Sequence, residues 1–327
     1  MERLLITLIL VCTMNNITNA QNPFYGQYHT PHGTVPFDRI ETEHYEPAIL
    51  EGIKLQNAEI EAIIQNPEKA DFTNTIEAFE ESGKLLDKVV AVFGNMLSAE
   101  TNDDLQELAQ KIMPLLSEHS NNITLNEKLF ARVKEVYNQK ETLQLTQEQK
   151  QLLENAYNSF IRHGANLEGE AREEYRRLTT ELSKLTLTFS ENNLKETNAY
   201  QMLLTKKESL AGLPEIIIEA AAETAKNEEK EGWAFTLHAP SYIPFMTYSD
   251  NRDLRQKLYM AYNTKCTHDN EFNNIDIVKK IANTRMKIAQ LLGYKDYAEY
   301  TLKKRMAENS KSVYKLLNQL LEAYTPT

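Results

Sequence analysis

The sequence predicts a mainly α-helical protein with one small β element near residues 199–240. Two observations support this fold class. Glycine and proline number only 10 each in 327 residues, which provides too few turns for a strand-rich fold. Apolar residues recur at steps of three and four over most of the chain, the spacing that places them on one face of a helix.

The composition excludes several classes of protein. With 41% hydrophobic and 25% charged residues, the chain has the composition of a globular protein and not of a disordered segment. Its net charge of -11 repels the phosphates of nucleic acid and anionic membrane surfaces, so we expect neither as a partner.

Residues 1–20 have the pattern of a secretory signal peptide. Arg3 precedes an apolar run from Leu4 to Cys12, and the segment ends in small or polar residues at Ala20. The run is shorter than the roughly 18 residues that a membrane span needs. We therefore expect cleavage after Ala20 and a secreted, periplasmic protein that leaves the membrane. The alternative is a lipoprotein signal at Cys12, although the bulky residues before that cysteine disfavour it.

Residues 21–39 are rich in proline and glycine and predict an extended arm, and residues 40–327 follow as a helical region. Apolar stripes and capping residues predict helices that begin near Pro47, Asn74, Thr101, Asn126, Thr146, Glu170, Pro214, Asp250, Asn274, Lys295 and Ser310. The stripe after Asn74 continues through Gly83 to Leu97, which predicts a single long helix. The stripe of the last helix, Val313 to Tyr324, has no C-terminal capping signal after it.

Three segments between Tyr200 and Ser249 break the helical pattern. Two of them, near Tyr200 and from Trp233, are short, β-prone and bounded by glycine or proline, and predict a two-stranded sheet. The third, "SYIPFMTYS" from Ser241 to Ser249, predicts a connection kinked by proline.

The residues themselves reveal no active site. The sequence has no pair of histidines at i and i+4 with a glutamate between them, no G-x-S-x-G and no phosphate-binding glycine loop. His29 and His32 lie three residues apart, but Pro31 between them removes the helical face on which zinc ligands converge. Cys266 and His268 lack a second pair of ligands, and we interpret Cys266 as an inert thiol.

The other titratable residues have ordinary structural interpretations. Isolated histidines are more often packing or surface residues than bases, and four fall in this class: His44, His119, His163 and His238. The acidic pairs Glu80/Glu81 and Glu173/Glu174 are adjacent on helices and therefore point to different faces, which is typical of solvated surface.

Several long segments nevertheless resemble the thimet-oligopeptidase family of zinc peptidases. They include "VPFDRIETEHYEPAILEGI" (Val35 to Ile53), "RHGANLEGEAREEYRRLTTELSKLTLTFSENNLKETNAY" (Arg162 to Tyr200) and "IANTRMKIAQLLGYKDYAEYTLKKRMA" (Ile281 to Ala307). The resemblance runs from about Val35 to the last residue and is greatest to the bacterial peptidyl-dipeptidase branch, which removes dipeptides from peptide C-termini.

The resemblance implies a helical protein that hydrolyses short peptides in a deep channel and is a monomer at full length. In that family the H-E-x-x-H helix and a third zinc ligand, a glutamate, come from the C-terminal half, and this sequence contains none of those positions. The resemblance therefore assigns this chain to the N-terminal part, one wall of the channel. It assigns no catalytic or metal residue here and no zinc to this chain alone. Its missing partner would be the C-terminal catalytic half.

Two questions stay open at this stage. One alternative to a peptidase fragment is a complete, non-catalytic helical protein that descends from such a peptidase and binds peptides without cutting them. The residues that contact peptide are also unassigned. The tyrosine-rich segment "SYIPFMTYSDNRDLR" is a candidate for the channel lining, and hydrophobic core is its competing interpretation.

Overall fold

The computed structural model describes residues 22–325 and confirms the mainly helical fold class. The predicted signal peptide lies outside the described residues. The helices are α1 (Tyr45–Gln65), α2 (Ala78–Glu80), α3 (Lys84–Ala99), α4 (Asp103–Thr124), α5 (Glu127–Asn138), α6 (Gln147–Arg162), α7 (Gly169–Ala199), α8 (Glu215–Asn227), α9 (Ala239–Tyr248), α10 (Arg252–Asn263), α11 (Ile275–Leu291), α12 (Tyr297–Leu302) and α13 (Ser310–Tyr324). The strands are β1 (Gln201–Leu204) and β2 (Trp233–Thr236).

The described residues form two compact units, and Lys184–Arg285 make up one of them. The other unit contains the chain up to Ser183 and again from Met286. One hydrophobic core of this unit is formed by apolar faces of α1, α5 and α6 together with the segment before α2. Aromatic rings are central to this core, since the centroids of Phe130 and Phe160 lie 5.8 Å apart in a stacked arrangement.

The proline-rich arm is fixed to this unit by one aromatic side chain. Phe24 is fully buried, and its ring lies 5.4 Å from that of Tyr45, which in turn lies 5.2 Å from the ring of Phe93. Asn22 adds a hydrogen bond from Nδ2 to the carbonyl of His44 at 2.9 Å. The arm has little regular structure, but these contacts hold it against the faces of α1 and α3.

The prediction of one continuous helix from Asn74 to Leu97 is wrong, because the segment breaks at Gly83. A π-helical turn, Phe72–Glu77, leads into α2, and α3 begins only after Gly83, whose φ of 80° is left-handed. The Gly83 N–H donates to Glu59 Oε2 at 2.8 Å instead of to a helical carbonyl. Within α3, Leu86 and Phe93 of the predicted stripe are buried, but the residue buried between them is Val89 and not Val90.

The predicted long helix from Glu170 is confirmed as α7. In the first unit it buries Tyr175 and Leu178 against Leu125 and Ile288. Asn121 of α4, itself buried, donates from Nδ2 to Thr179 Oγ1 at 2.8 Å. A polar contact of this kind fixes the register of two helices, because a shift by one residue would leave the buried amide without a partner.

The predicted sheet is confirmed within the second unit. β1 and β2 pair antiparallel with Met202 opposite Phe235, and both of these side chains are buried. α8 packs on the sheet, and Phe245 of α9 meets Phe235 edge-on at 4.6 Å.

The segment from Ser241 to Tyr248 is helical, so the prediction of a kinked connection is wrong. Pro240 lies in the first turn of α9, where a missing N–H costs nothing. Pro244 removes one hydrogen bond from a helix of 10 residues. Burial of Phe245 in the core of the second unit offsets that loss.

The last helix, α13, is amphipathic but has no buried residue. Its apolar side chains are exposed by 58% at Leu316, 50% at Leu317 and 65% at Leu321. Among the helices of residues 22–325, none combines the length and apolar character that crossing a membrane requires.

Two glycines of the same segment provide a matched stability test. In Gly83→Ala the new methyl group would collide with the Gln56 side chain in a left-handed backbone conformation, so we expect a loss of about 1–2 kcal/mol in the free energy of unfolding. Gly94→Ala is the control, because its methyl group meets nothing within 4 Å on the exposed face of α3. It should gain about 0.5–1 kcal/mol. Urea titrations followed by circular dichroism measure both, and equal effects would contradict the break at Gly83.

Candidate functional site

The two histidines of the arm do not form a metal site with other ligands. His32 lies in the short 3-10 turn Pro31–Gly33 with a φ of 58°, and His29 lines a pocket of about 480 Å³ with Tyr28 and Arg39. Within residues 22–325, no group of three or more histidine, cysteine, aspartate or glutamate side chains is arranged so that it could hold a metal ion. The described residues therefore do not fit a zinc site.

The four isolated histidines have structural partners, as the sequence predicted. His119 is buried and contacts Gln56 Oε1 at 2.7 Å, and burial lowers the pKa of its imidazole. His44 Nδ1 accepts the Glu41 N–H at 2.9 Å in a capping box. His163 contacts the Ser159 carbonyl, and His238 contacts Thr236 and Asn198.

The predicted acidic pairs lie on exposed helix faces and form ion pairs with nearby bases. Glu81 pairs with Lys84, and Glu174 pairs with Arg177 at 2.7 Å. Such exposed pairs contribute little to stability. They provide no pair of convergent carboxylates for acid–base chemistry.

Cys266 and His268 are brought together by a residue that the sequence analysis did not identify, Glu196 of α7. The Glu196 carboxylate accepts the Cys266 backbone N–H and, at 2.6 Å, the Nδ1–H of His268. It also accepts a hydrogen bond from the Cys266 thiol. Asn274 completes the connection, since its N–H donates to the Cys266 carbonyl at 2.7 Å and its amide to the Phe189 carbonyl at 3.0 Å.

These hydrogen bonds set the protonation of the cluster. Burial by itself would raise the pKa of the Glu196 carboxyl, but hydrogen bonds from His268 and Cys266 hold that pKa below its usual value. Burial together with the Glu196 carboxylate raises the pKa of the Cys266 thiol to about 11. At neutral pH the thiol is therefore protonated and a poor nucleophile, in agreement with its interpretation as inert.

The tyrosine-rich segment from Ser241 to Arg255 divides between core and surface. Phe245 is fully buried, whereas Ile243 and Tyr248 are more than half exposed. Tyr242 stacks on Tyr262 of α10 with ring centroids 4.2 Å apart, and Lys265 Nζ lies 4.5 Å from the Tyr262 centroid. Neither sequence interpretation, core or lining, therefore describes the whole segment.

Comparison with known proteins decides the family. Residues 245–327 match the profile of "Peptidase family M3". Oligopeptidase A of Salmonella typhimurium is 30% identical over 309 residues, which cover 93% of this chain. The chain belongs to peptidase family M3. The sequence-based resemblance to the thimet-oligopeptidase family is thereby confirmed.

The chain spans about half the length of the M3 relatives it matches. The alignment with oligopeptidase A covers 45% of that protein, and the alignment with dipeptidyl carboxypeptidase of Escherichia coli, 33% identical over 305 residues, also covers 45%. Thimet-like oligopeptidase of Dictyostelium discoideum is 25% identical over 289 residues, 42% of its length.

Identity alone does not assign the chain to one branch of the M3 family. Dipeptidyl carboxypeptidase and oligopeptidase A differ by only three percentage points, at 33% and 30%. Only the cleavage products of the peptidase can therefore assign the branch.

The Glu196 cluster makes a measurable prediction about thiol reactivity. In the native chain, the rate at which iodoacetamide alkylates Cys266 should stay low at pH 8 and rise as the pH approaches about 11, because only the thiolate reacts. Glu196→Gln removes the charge that opposes ionisation, and we expect alkylation at pH 8 to accelerate about tenfold for each unit by which the thiol pKa falls.

Glu223→Gln is the matched control, because Glu223 is an exposed glutamate on α8 of the same unit. Its alkylation rate should equal that of the unchanged chain. A rate for Glu196→Gln that also equals it would show that the carboxylate does not govern the thiol.

Proposed function

We propose that this chain is the N-terminal part of a secreted zinc metallopeptidase that hydrolyses short peptides and releases C-terminal dipeptides. The observation that carries the proposal is the alignment of 93% of the chain with dipeptidyl carboxypeptidase at 33% identity. A peptidase of this kind needs a metal-activated water, and residues 22–325 offer no ligand set for zinc. The catalytic residues would therefore come from a further part of the polypeptide.

In this proposal the chain contributes the scaffold and one wall of a channel for peptides. When the reacting centre lies in a narrow cleft, only a substrate as thin as an extended peptide chain can reach it. Unfolded peptides therefore enter and folded proteins are excluded. Helices with packed aromatic cores suit this role, because a wall that excludes folded proteins has to be rigid.

The exposed face of α13 favours this proposal over a complete, non-catalytic binding protein. Leu316, Leu317 and Leu321 are at least half exposed on one helix with few charges. A stable secreted monomer seldom leaves so continuous an apolar stripe in water. A longer polypeptide could bury this stripe against its remaining part.

The test compares the chain with the longer product expected from its gene. The longer product should bind one zinc ion per molecule and cleave an unblocked hexapeptide, and a chelator should abolish cleavage. Residues 21–327 should do neither. A variant of the longer product with glutamine in place of the H-E-x-x-H glutamate is the control, because it retains the zinc and loses the hydrolysis.

The products distinguish the two branches. A peptidyl-dipeptidase releases dipeptides from a free C-terminus and is slow on the same peptide with a C-terminal amide, whereas an internal oligopeptidase cleaves both. Mass spectrometry of the products identifies which peptide bonds have been cleaved. Zinc-dependent hydrolysis by residues 21–327 alone would overturn the proposal.

Export to the periplasm is part of the same proposal. If residues 1–20 direct secretion, the protein recovered from the periplasmic fraction should begin at Gln21, as read by N-terminal mass spectrometry. Cys12→Ser should leave that N-terminus unchanged, whereas a lipoprotein would lose its processing and its membrane attachment. A cytoplasmic protein that begins at Met1 would contradict the prediction.

A further inference from the structure

The second unit displays a cluster of aromatic side chains at the edge of its core, against which Tyr242 packs. The cluster comprises Tyr242 of α9 with Tyr259 and Tyr262 of α10. Tyr259 is 50% exposed and Tyr262 is 38% exposed. The rings of Tyr242 and Tyr262 stack at 4.2 Å with an interplanar angle of 20°. We call these three side chains, together with Lys265, the tyrosine surface.

A cation is fixed next to these rings. Lys265 Nζ lies 4.5 Å from the centroid of Tyr262 and donates a hydrogen bond to Thr197 Oγ1 at 3.1 Å. An ammonium group has three N–H donors, so donors remain for an anion on the tyrosine surface. Because the side chain is held at two points, little rotamer entropy is lost when an anion binds.

The stretch of sequence that carries Tyr259, Tyr262 and Lys265 is basic, although the chain as a whole is acidic. Residues 252–265 carry Arg252, Arg255, Lys257 and Lys265 against a single acid, Asp253, in a chain with a net charge of -11. Local positive charge of this kind attracts carboxylates and repels cations. The partner should therefore be acidic.

The tyrosine surface differs from the other exposed apolar surface, that of α13. The α13 stripe is mainly leucine, which is typical of a face that packs permanently inside a protein, although Tyr314 and Tyr324 are exposed on the same helix. Tyrosines surrounded by lysine and arginine are instead typical of surfaces that bind and release a partner, because their hydroxyl groups remain hydrated and their rings are rigid. This contrast argues for a soluble ligand and against permanent intramolecular packing.

We propose that the tyrosine surface binds short peptides in which an aromatic side chain stands next to an acidic one. The peptide's aromatic ring would pack on the half-exposed ring of Tyr259, and its carboxylate would pair with Lys265, which lies over the ring of Tyr262. This inference rests on the proposed function for its choice of peptides as the ligand, and it adds a substrate preference and the residues that determine it.

The test measures binding to the 327-residue chain without zinc, by saturation-transfer NMR. The probe is an acetylated, amidated octapeptide of glycine and serine with one central Phe-Glu pair. We expect saturable binding with transfer concentrated on the phenylalanine ring. A peptide with alanine in place of phenylalanine, or with glutamine in place of glutamate, should bind about tenfold more weakly. Added salt should reduce the difference in affinity between the Phe-Glu and Phe-Gln peptides, because it screens the carboxylate, and should leave the difference from the alanine peptide unchanged.

Variants of the protein locate the site. Tyr262→Ala and Tyr259→Ala should each weaken binding of the Phe-Glu peptide about tenfold, as central tyrosines do at interfaces. Tyr259 is half exposed, so its truncation leaves the core intact if Tyr262→Ala disturbs the fold. Tyr314→Ala is the matched control, because Tyr314 is 64% exposed on α13. The affinity of the Tyr314→Ala variant for the Phe-Glu peptide should equal that of the unchanged chain.

The outcomes separate this inference from the proposed function. Absence of saturable binding, or equal affinity for all three peptides, would overturn the inference that the tyrosine surface binds peptides, whether or not the longer gene product is a peptidase. Equal losses in Tyr259→Ala and Tyr314→Ala would overturn it too. Selective binding without zinc-dependent hydrolysis by the longer product would support the tyrosine surface and overturn the proposed function.

Discussion

The architecture depends on how each helix satisfies the backbone N–H groups of its first turn. At α4, α5, α10, α12 and α13 an asparagine or aspartate side chain immediately before the helix accepts the N–H three residues on. These caps fix where each helix begins, and hence which residues face the core. With Cys266 as the only cysteine after residue 20, no disulfide can correct a helix that starts one turn early. The chain therefore relies on local caps and on the packing that they direct.

Sequence periodicity predicted the existence of most helices because most of them have an apolar stripe that their neighbours bury; α13 was predicted from its stripe although none of its residues is buried. Periodicity failed where tertiary contacts decide the backbone. At Gly83 the apolar pattern continues although the helix does not, since the left-handed turn is stabilised by Glu59, 24 residues away. At α9 the prolines indicated a kinked connection, and burial of Phe245 outweighed them. The cap of the last helix moved by one residue, from Ser310 to Asn309, which no stripe can resolve.

The chemistry of individual side chains was predicted less completely. Local sequence correctly indicated that His44 and His119 are structural, because isolated histidines usually are. It gave no sign of Glu196, since the bond from Cys266 joins residues 70 apart, and a glutamate on a charged helix resembles its solvated neighbours. The tyrosine surface was visible as a tyrosine-rich segment, but stacking of Tyr242 on Tyr262 depends on the packing of α9 against α10, which periodicity does not define.

The anchoring of the arm by Phe24 bears on the order of events during maturation. Asn22 and Phe24 are buried, and they lie within four residues of the proposed cleavage point after Ala20. A signal peptidase needs several extended, accessible residues around the bond that it cuts, and the folded arm would withhold those on one side. If the proposed signal peptide is removed after Ala20, cleavage has to precede docking of the arm, and export would take place while α1 and α3 are still unfolded. Under that proposal, a molecule that folded first would resist later cleavage, so export would have to come before folding.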